Sequence, residues 1–165
     1  MLAVRSVLLA TLFLTACQSI GTQYLPPDAT QDSALFVGGG VLITQFDEEG
    51  CYSGRTNVTE NFRLHAGKEV VMTVENSSFN QSWRGDQQFC RVIFSFVPKK
   101  DEQYELLFDN TKTAPGKTLL GKAAMVPVCT AGIAKLNEDG SKTPIAVTSL
   151  RLSQRKLTCI KALPN

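Results

Sequence analysis

The chain has 165 residues, 43% of them hydrophobic, which is enough length and apolar material for one domain with its own core. Its 17 basic and 15 acidic residues nearly balance. That balance excludes the strongly basic footprint of a nucleic-acid binder and gives no basis for attraction to a membrane through overall charge.

The first sixteen residues carry a single charge, Arg5, followed by an apolar run from Val7 to Leu14. Such a run falls within the ~7–15 residues of a signal-peptide core and well short of the ~20 needed to span a bilayer. Residues 1–16 therefore read as a cleaved export signal. The segment ends Leu14-Thr15-Ala16-Cys17, which resembles the lipobox of bacterial lipoproteins. The resemblance implies a diacylglycerol thioether on Cys17, cleavage before it and acylation of the new N-terminus. In that family an aspartate after the cysteine retains the protein at the inner membrane. Here the position is Gln18, so the resemblance implies the periplasmic face of the outer membrane, with the bilayer as a partner through lipid. Several acyl chains, at roughly 0.8 kcal/mol per buried CH₂, make such an anchor effectively permanent.

Residues 17–34 lack periodicity and contain Pro26-Pro27, the pattern of a flexible lipid-anchored tether, and the folded domain is expected over residues 35–165. Strand signals then follow one another. Val41 to Thr44 is rich in β-branched residues. Val70, Met72 and Val74 alternate with Val71, Thr73 and Glu75; Cys90, Val92, Phe94 and Phe96 with Arg91, Ile93 and Ser95; Tyr104, Leu106 and Phe108 with Glu105, Leu107 and Asp109. Val126 to Leu136 and Ile145 to Leu150 flank Asn137-Glu138-Asp139-Gly140-Ser141, whose Asp-Gly step predicts a hairpin. Gly38 to Gly40, Glu49-Gly50, Gly67-Lys68, Asn76 to Ser78, Pro98 to Asp101 and Pro115-Gly116 punctuate these runs. Only residues 60–66 and 118–125 suit even a short helical turn. Many short strands between turn signals predict an all-β, small antiparallel β-sandwich, with Phe36, Phe46, Phe62, Phe79, Phe89, Phe94, Phe96 and Phe108 supplying much of its core.

With Cys17 assigned to lipid, Cys51, Cys90, Cys129 and Cys159 remain, an even number in an exported chain. An oxidising periplasm makes two disulfides the expectation, and three connectivities are open. The favoured pairing is Cys51–Cys90 with Cys129–Cys159, each closing about 30–40 residues and worth roughly 3–4 kcal/mol in the chain-entropy model. Zinc is disfavoured, because no two cysteines lie two to four residues apart and His65 is the only histidine.

A second resemblance lies over residues 58–110. Phe62-Arg63-Leu64-His65-Ala66-Gly67-Lys68-Glu69-Val70, followed by Phe94 to Pro98 and by Gln103-Tyr104-Glu105-Leu106, is similar to the PEGA-type envelope sandwiches. There a glycine permits the tight turn between two strands and a tyrosine-bearing strand follows. The motif departs at His65-Ala66-Gly67, where proline-glutamate-glycine is the family pattern. The resemblance implies an extracytoplasmic scaffold or binding module and no catalytic residues.

Direct signs of catalysis are weak. A nucleophile triad would need His65, which sits beside a predicted turn, and no serine has a Gly-x-Ser-x-Gly context. The acids Asp47, Glu48, Glu49, Asp86, Asp101 and Glu102 all fall in predicted turns, where solubility alone explains them. Gly116-Lys117-Thr118 lacks the earlier glycine of a phosphate loop, since Thr111 holds that place. The asparagine triplets at Asn57, Asn76 and Asn80 read as turns. No cofactor and no metal are implied. The most suggestive stretch is Asn76 to Gln88, expected as a long loop carrying Phe79, Trp83 and Arg84, residue types enriched where proteins bind partners or sugars. The expectation is a non-enzymatic binding or assembly module of the cell envelope whose partner is an envelope protein or glycan. The alternatives are a periplasmic inhibitor or immunity lipoprotein that blocks a hydrolase, and an enzyme acting on envelope glycan.

Overall fold

The computed structural model describes residues 21–79, 87–117, 121–157 and 159–165. Eleven strands and no helix are found among them: β1 (Ser33–Val37), β2 (Val41–Phe46), β3 (Tyr52–Val58), β4 (Phe62–His65), β5 (Val70–Phe79), β6 (Gln87–Phe96), β7 (Gln103–Lys117), β8 (Ala123–Leu136), β9 (Lys142–Ile145), β10 (Thr148–Lys156) and β11 (Cys159–Pro164). They form a five-stranded sheet in the order β4-β1-β7-β8-β9 and a six-stranded sheet in the order β11-β10-β6-β5-β2-β3. Pairing is antiparallel throughout except between β1 and β7, where Phe36 lies opposite Tyr104 in parallel register.

The period-2 alternation of the sequence sets the core. On the six-stranded sheet Val41, Ile43, Val70, Met72, Val74, Phe94 and Phe96 turn inward; Ala34, Phe36, Leu64, Tyr104 and Ile133 meet them from the other sheet. Of the phenylalanines expected in the core, Phe36, Phe94 and Phe96 are buried, Phe62 and Phe108 pack against the cluster half-buried, and Phe46 stays outside it. Phe36 and Phe62 lie 5.0 Å apart, and Phe96 meets Tyr104 edge-on at 5.2 Å. The Asp-Gly cue holds: Asn137 to Ser141 joins β8 to β9, with Gly140 at φ 79°. The expected run from Ile145 to Leu150 breaks in two, because the chain leaves the five-stranded sheet after Ile145 and enters the six-stranded one at Thr148. Residues 62–65 form a strand, not a helical turn, because they pair with β1 along the sheet edge.

Two expectations are corrected. The segment read as a flexible tether is seated on the domain from Thr22 to Pro27. The Thr22 amide donates to Ser53 O at 3.0 Å and the Tyr24 amide to Thr56 Oγ1 at 2.7 Å, both on β3. The Tyr24 hydroxyl donates to Arg63 O at 3.1 Å and accepts from the His65 amide at 3.2 Å, both on β4. His65 Nε2 lies 3.0 Å from Leu25 O, and Pro27 is buried. This strap closes the open side of the sandwich between its two edge strands. Proline and the lack of periodicity marked it as irregular, but irregular backbone can still be fully bonded.

The disulfides also differ from the favoured pairing. They join Cys51 to Cys159 and Cys90 to Cys129, with Cα separations of 5.0 and 6.0 Å. Proximity in sequence misled because the sheets bring distant segments together. Cys90 stands on the inward face of β6 opposite β8, so its bridge ties one sheet to the other. Cys159 begins β11, which returns against β3 just beyond Cys51.

Candidate functional site

The outer face of the six-stranded sheet holds the chemistry. After Leu150 the β10–β11 hairpin leaves its register with β6 and bends back until β11 approaches β3, where Cys51–Cys159 joins the two edges. The sheet is thereby rolled around a cavity of about 120 Å³ to which all six strands contribute, room for a few waters or the end of an aliphatic group. Covering the outer face explains why Thr44 and Thr73, which the alternation pattern points outward, are nonetheless buried, while the hydroxyl of buried Ser95 donates to Glu69 Oε1 at 2.7 Å. The hydroxyls of Thr44 and Thr73 bond each other at 3.1 Å beneath the cavity, which satisfies both in a place that water does not reach freely.

Three charges line this floor. Glu75 and Arg91 are directly opposed on β5 and β6, and Arg91 Nη2 lies 2.8 Å from Glu75 Oε1; Arg55 Nη1 approaches the same oxygen at 3.5 Å. Two guanidiniums gathered on one carboxylate face a groove with walls of Leu42, Ile93, Leu152 and Ile160. Tyr52, Leu152 and Ile160 are three of the large apolar side chains that the described surface exposes, at 38%, 38% and 39%, and all three line this cavity. The guanidinium planes suit a carboxylate or another planar acceptor beside an apolar group.

None of these residues stood out in the sequence as site residues. The readable signal was limited to charges at the outward positions of strands that otherwise alternate, Glu75 on one and Arg91 on the other; nothing announced that a later hairpin would roof them. Of the residues expected to bind, Trp83 and Arg84 lie outside the described residues. Phe79 does not lie in a loop: Asn76 to Phe79 continue β5 and pair in register with Gln87 to Cys90 of β6. The interstrand ladder satisfies their backbone and overrides the turn preference of Asn and Ser.

A larger, open cleft of about 690 Å³ lies between Asp101-Glu102-Gln103 and Lys135 to Asp139. Two of its four carboxylates are engaged structurally. Glu102 accepts from Lys135 Nζ at 2.7 Å and from the Tyr104 hydroxyl at 2.6 Å, and these bonds, the lysine's first, hold its carboxyl below the usual range. Asp139 accepts from the amide and hydroxyl of Ser141 within its own turn. No cluster of His, Cys, Asp and Glu fit for a metal ion occurs among the described residues. Among the described residues there is no helix long and apolar enough to cross a membrane.

Fold and site together define a disulfide-stapled, all-β sandwich whose second sheet is rolled around a small cavity lined by apolar side chains and by Arg55, Glu75 and Arg91. No family model, curated protein or solved structure matches the chain.

Proposed function

We propose that the chain is an envelope lipoprotein, lipidated on Cys17 at the periplasmic face of the outer membrane, whose domain is a non-enzymatic binding or assembly module. The observation that carries this reading is the rolled-sheet cavity. It gathers exposed apolar side chains and two arginines in one place, a combination that costs stability in water and is useful for recognition. The partner it suits is an envelope protein or glycan presenting an acidic group next to an apolar one. The lipobox supports the anchor, and the two disulfides suit an oxidising compartment.

Two measurements test the reading. Cross-linked pull-down from envelope extracts is expected to recover a partner with the wild-type chain and to lose it with Leu152→Asp and with Arg91→Glu; identical recoveries from all three would remove the cavity from consideration. Cys17→Ala is expected to release the protein from membranes or to leave an uncut precursor, and unchanged fractionation would refute the anchor.

A second reading, that of a periplasmic inhibitor or immunity protein blocking a hydrolase, is favoured by the β7–β8 hairpin. Its neighbours β1 and β9 pair only near its base, at Gln103 to Glu105 and at Ile133 to Leu136. The remainder projects as a two-stranded arm, steadied by Cys90–Cys129 and exposing Met125. Capture of a hydrolase that depends on Met125 and not on Leu152 would favour this reading.

A further inference from the structure

The end of the molecule that carries the Cys51–Cys159 bridge holds a surface of different character. From Thr148 to Asn165 the chain contains Arg151, Arg155, Lys156 and Lys161 and no Asp or Glu, while the whole chain is nearly neutral. Leu157 follows β10 at the turn into β11. At 97% exposure it is the most open of the large apolar side chains on the described surface, and Arg155 and Lys156 immediately precede it. Arg155 and Lys156 are exposed, and neither has a hydrogen-bond or ion-pair partner among the described residues. An apolar side chain standing in water behind two unpartnered cations has no structural use in the fold. It is the arrangement that enters the headgroup region of a bilayer, with the leucine below and the cations at phosphate level.

Its place relative to the N-terminus adds a second, independent argument. Thr22 bonds to Ser53, two residues from Cys51. Cys51 is bridged to Cys159 across a Cα separation of 5.0 Å, and Leu157 is two residues before Cys159. The strap runs parallel to β3, from Ser53 toward Thr56, so tracing it backward from Thr22 leads toward the same bridge. Cys17 is four residues before Gly21, a reach of at most about 14 Å. An acyl anchor on Cys17 would therefore attach to the end of the molecule that carries the Cys51–Cys159 bridge and Leu157.

We infer that the Leu157 tip is a second membrane contact, docking on an anionic phospholipid bilayer and holding the domain in one orientation against it. The neighbouring β2–β3 turn carries Asp47, Glu48 and Glu49, so net charge at this end is small and insertion of the leucine has to contribute alongside the cations. Asp47 accepts from the Cys51 amide at 2.7 Å, and Lys161 donates to Glu49 O at 2.6 Å, which ties that turn to the domain. The β7–β8 arm points the other way. β7 starts where β6 has just ended, so its closed end lies with that of β5–β6, whereas the β2–β3 turn lies beyond the opposite end of β5.

The inference takes its geometry from the lipid-anchor reading, and the test separates the two. The full chain carrying Leu157→Trp is reconstituted in vesicles of phosphatidylethanolamine and phosphatidylglycerol containing bromine-labelled acyl chains, and the quenching of its added fluorescence over the unsubstituted chain is measured. Met125→Trp, at the far end of the β7–β8 arm, is the control. Quenching at position 157 at least twice that at position 125 is expected, reduced when Arg155 and Lys156 are both changed to Glu and reduced in phosphatidylcholine alone. Equal quenching at the two positions would overturn the inference, and quenching that ignores both the charge reversal and the lipid would overturn its anionic component. Intact-mass measurement of the same preparation reports whether Cys17 is acylated. An unacylated chain that still shows quenching at position 157 would refute the anchor and leave the tip contact standing.

Discussion

At the scale of residues, the best-determined chemistry lies at the base of β7. Tyr104 is buried, and its hydroxyl donates to Glu102 Oε2 while accepting from the Lys99 amide at 3.0 Å. Burial first, and then the carboxylate beside it, push the phenol up to about 12. Glu102 moves the opposite way, held down by Lys135 and Tyr104 from its ordinary value of 4.5. The depressed carboxylate contributes stability that is fully present above that ordinary value and is lost as pH falls through the folded value. Glu102→Gln is therefore expected to lower the melting temperature at about pH 6 and to lose that effect progressively as pH falls below 4.5; a difference that does not change on acidification would show that the Lys135 pairing is energetically silent. The phenol has the reverse sign: its contribution is complete below 10 and disappears as pH rises toward 12, so Tyr104→Phe should flatten the alkaline limb of the same curve. By contrast, the ion pair of Lys100 with Asp32 is exposed on both sides and is expected to add little.

At the scale of elements, the N-terminal strap shows how a segment without periodicity can still be placed. It needs a close approach to β3, and Gly54 supplies it. A Cβ built there would stand 2.3 Å from Thr22 O and 2.7 Å from Thr22 N, both backbone atoms that cannot give way without moving the strap. Gly54→Val is expected to displace Thr22 to Tyr24 and to destabilise the domain by about 1–3 kcal/mol. Proteolysis provides the check: the variant should be cut within residues 22–27 sooner than the wild type, and equal rates would mean that the strap is not held by β3. The β3 strand itself was hard to read, since Tyr52 to Val58 has no clean apolar alternation. It lies beside β2 on one side and under the strap and β11 on the other, so contacts with segments distant in the chain help determine it.

At the scale of the whole molecule, the two disulfides do unequal work. Cys90–Cys129 links the sheets across a separation of 39 residues; Cys51–Cys159 rolls the second sheet across 108. In the chain-entropy model these loops are worth about 4 and about 5 kcal/mol, so replacing Cys51 and Cys159 by Ala should cost slightly more in denaturant unfolding than replacing Cys90 and Cys129. The pairs should also separate in function. Loss of Cys51–Cys159 opens the cavity and frees the Leu157 tip, whereas loss of Cys90–Cys129 loosens the β7–β8 arm. Non-reduced peptide mapping is expected to recover Cys51 with Cys159, and a Cys51–Cys90 peptide would contradict this topology.

The sequence by itself determined the all-β class, the alternation that sets the core along β5, β6 and β7 and the hairpin at Asp139-Gly140, along with the expectation of disulfides. These are local properties: side-chain alternation, β-branched content, turn residues and cysteine parity are all written within a few neighbouring positions. Only the tertiary structure decided which cysteines meet, that the segment before β1 is a seated strap, that Asn76 to Phe79 continue a strand, and that Arg55, Glu75 and Arg91 share one groove. Each depends on contacts between residues far apart in the chain, and chain order does not reveal them. The charge balance makes the same point: the chain is nearly neutral as a string, yet its last hairpin is wholly basic. The Cys51–Cys159 bridge places that hairpin beside the start of β3, where Thr22 of the strap is bonded to Ser53.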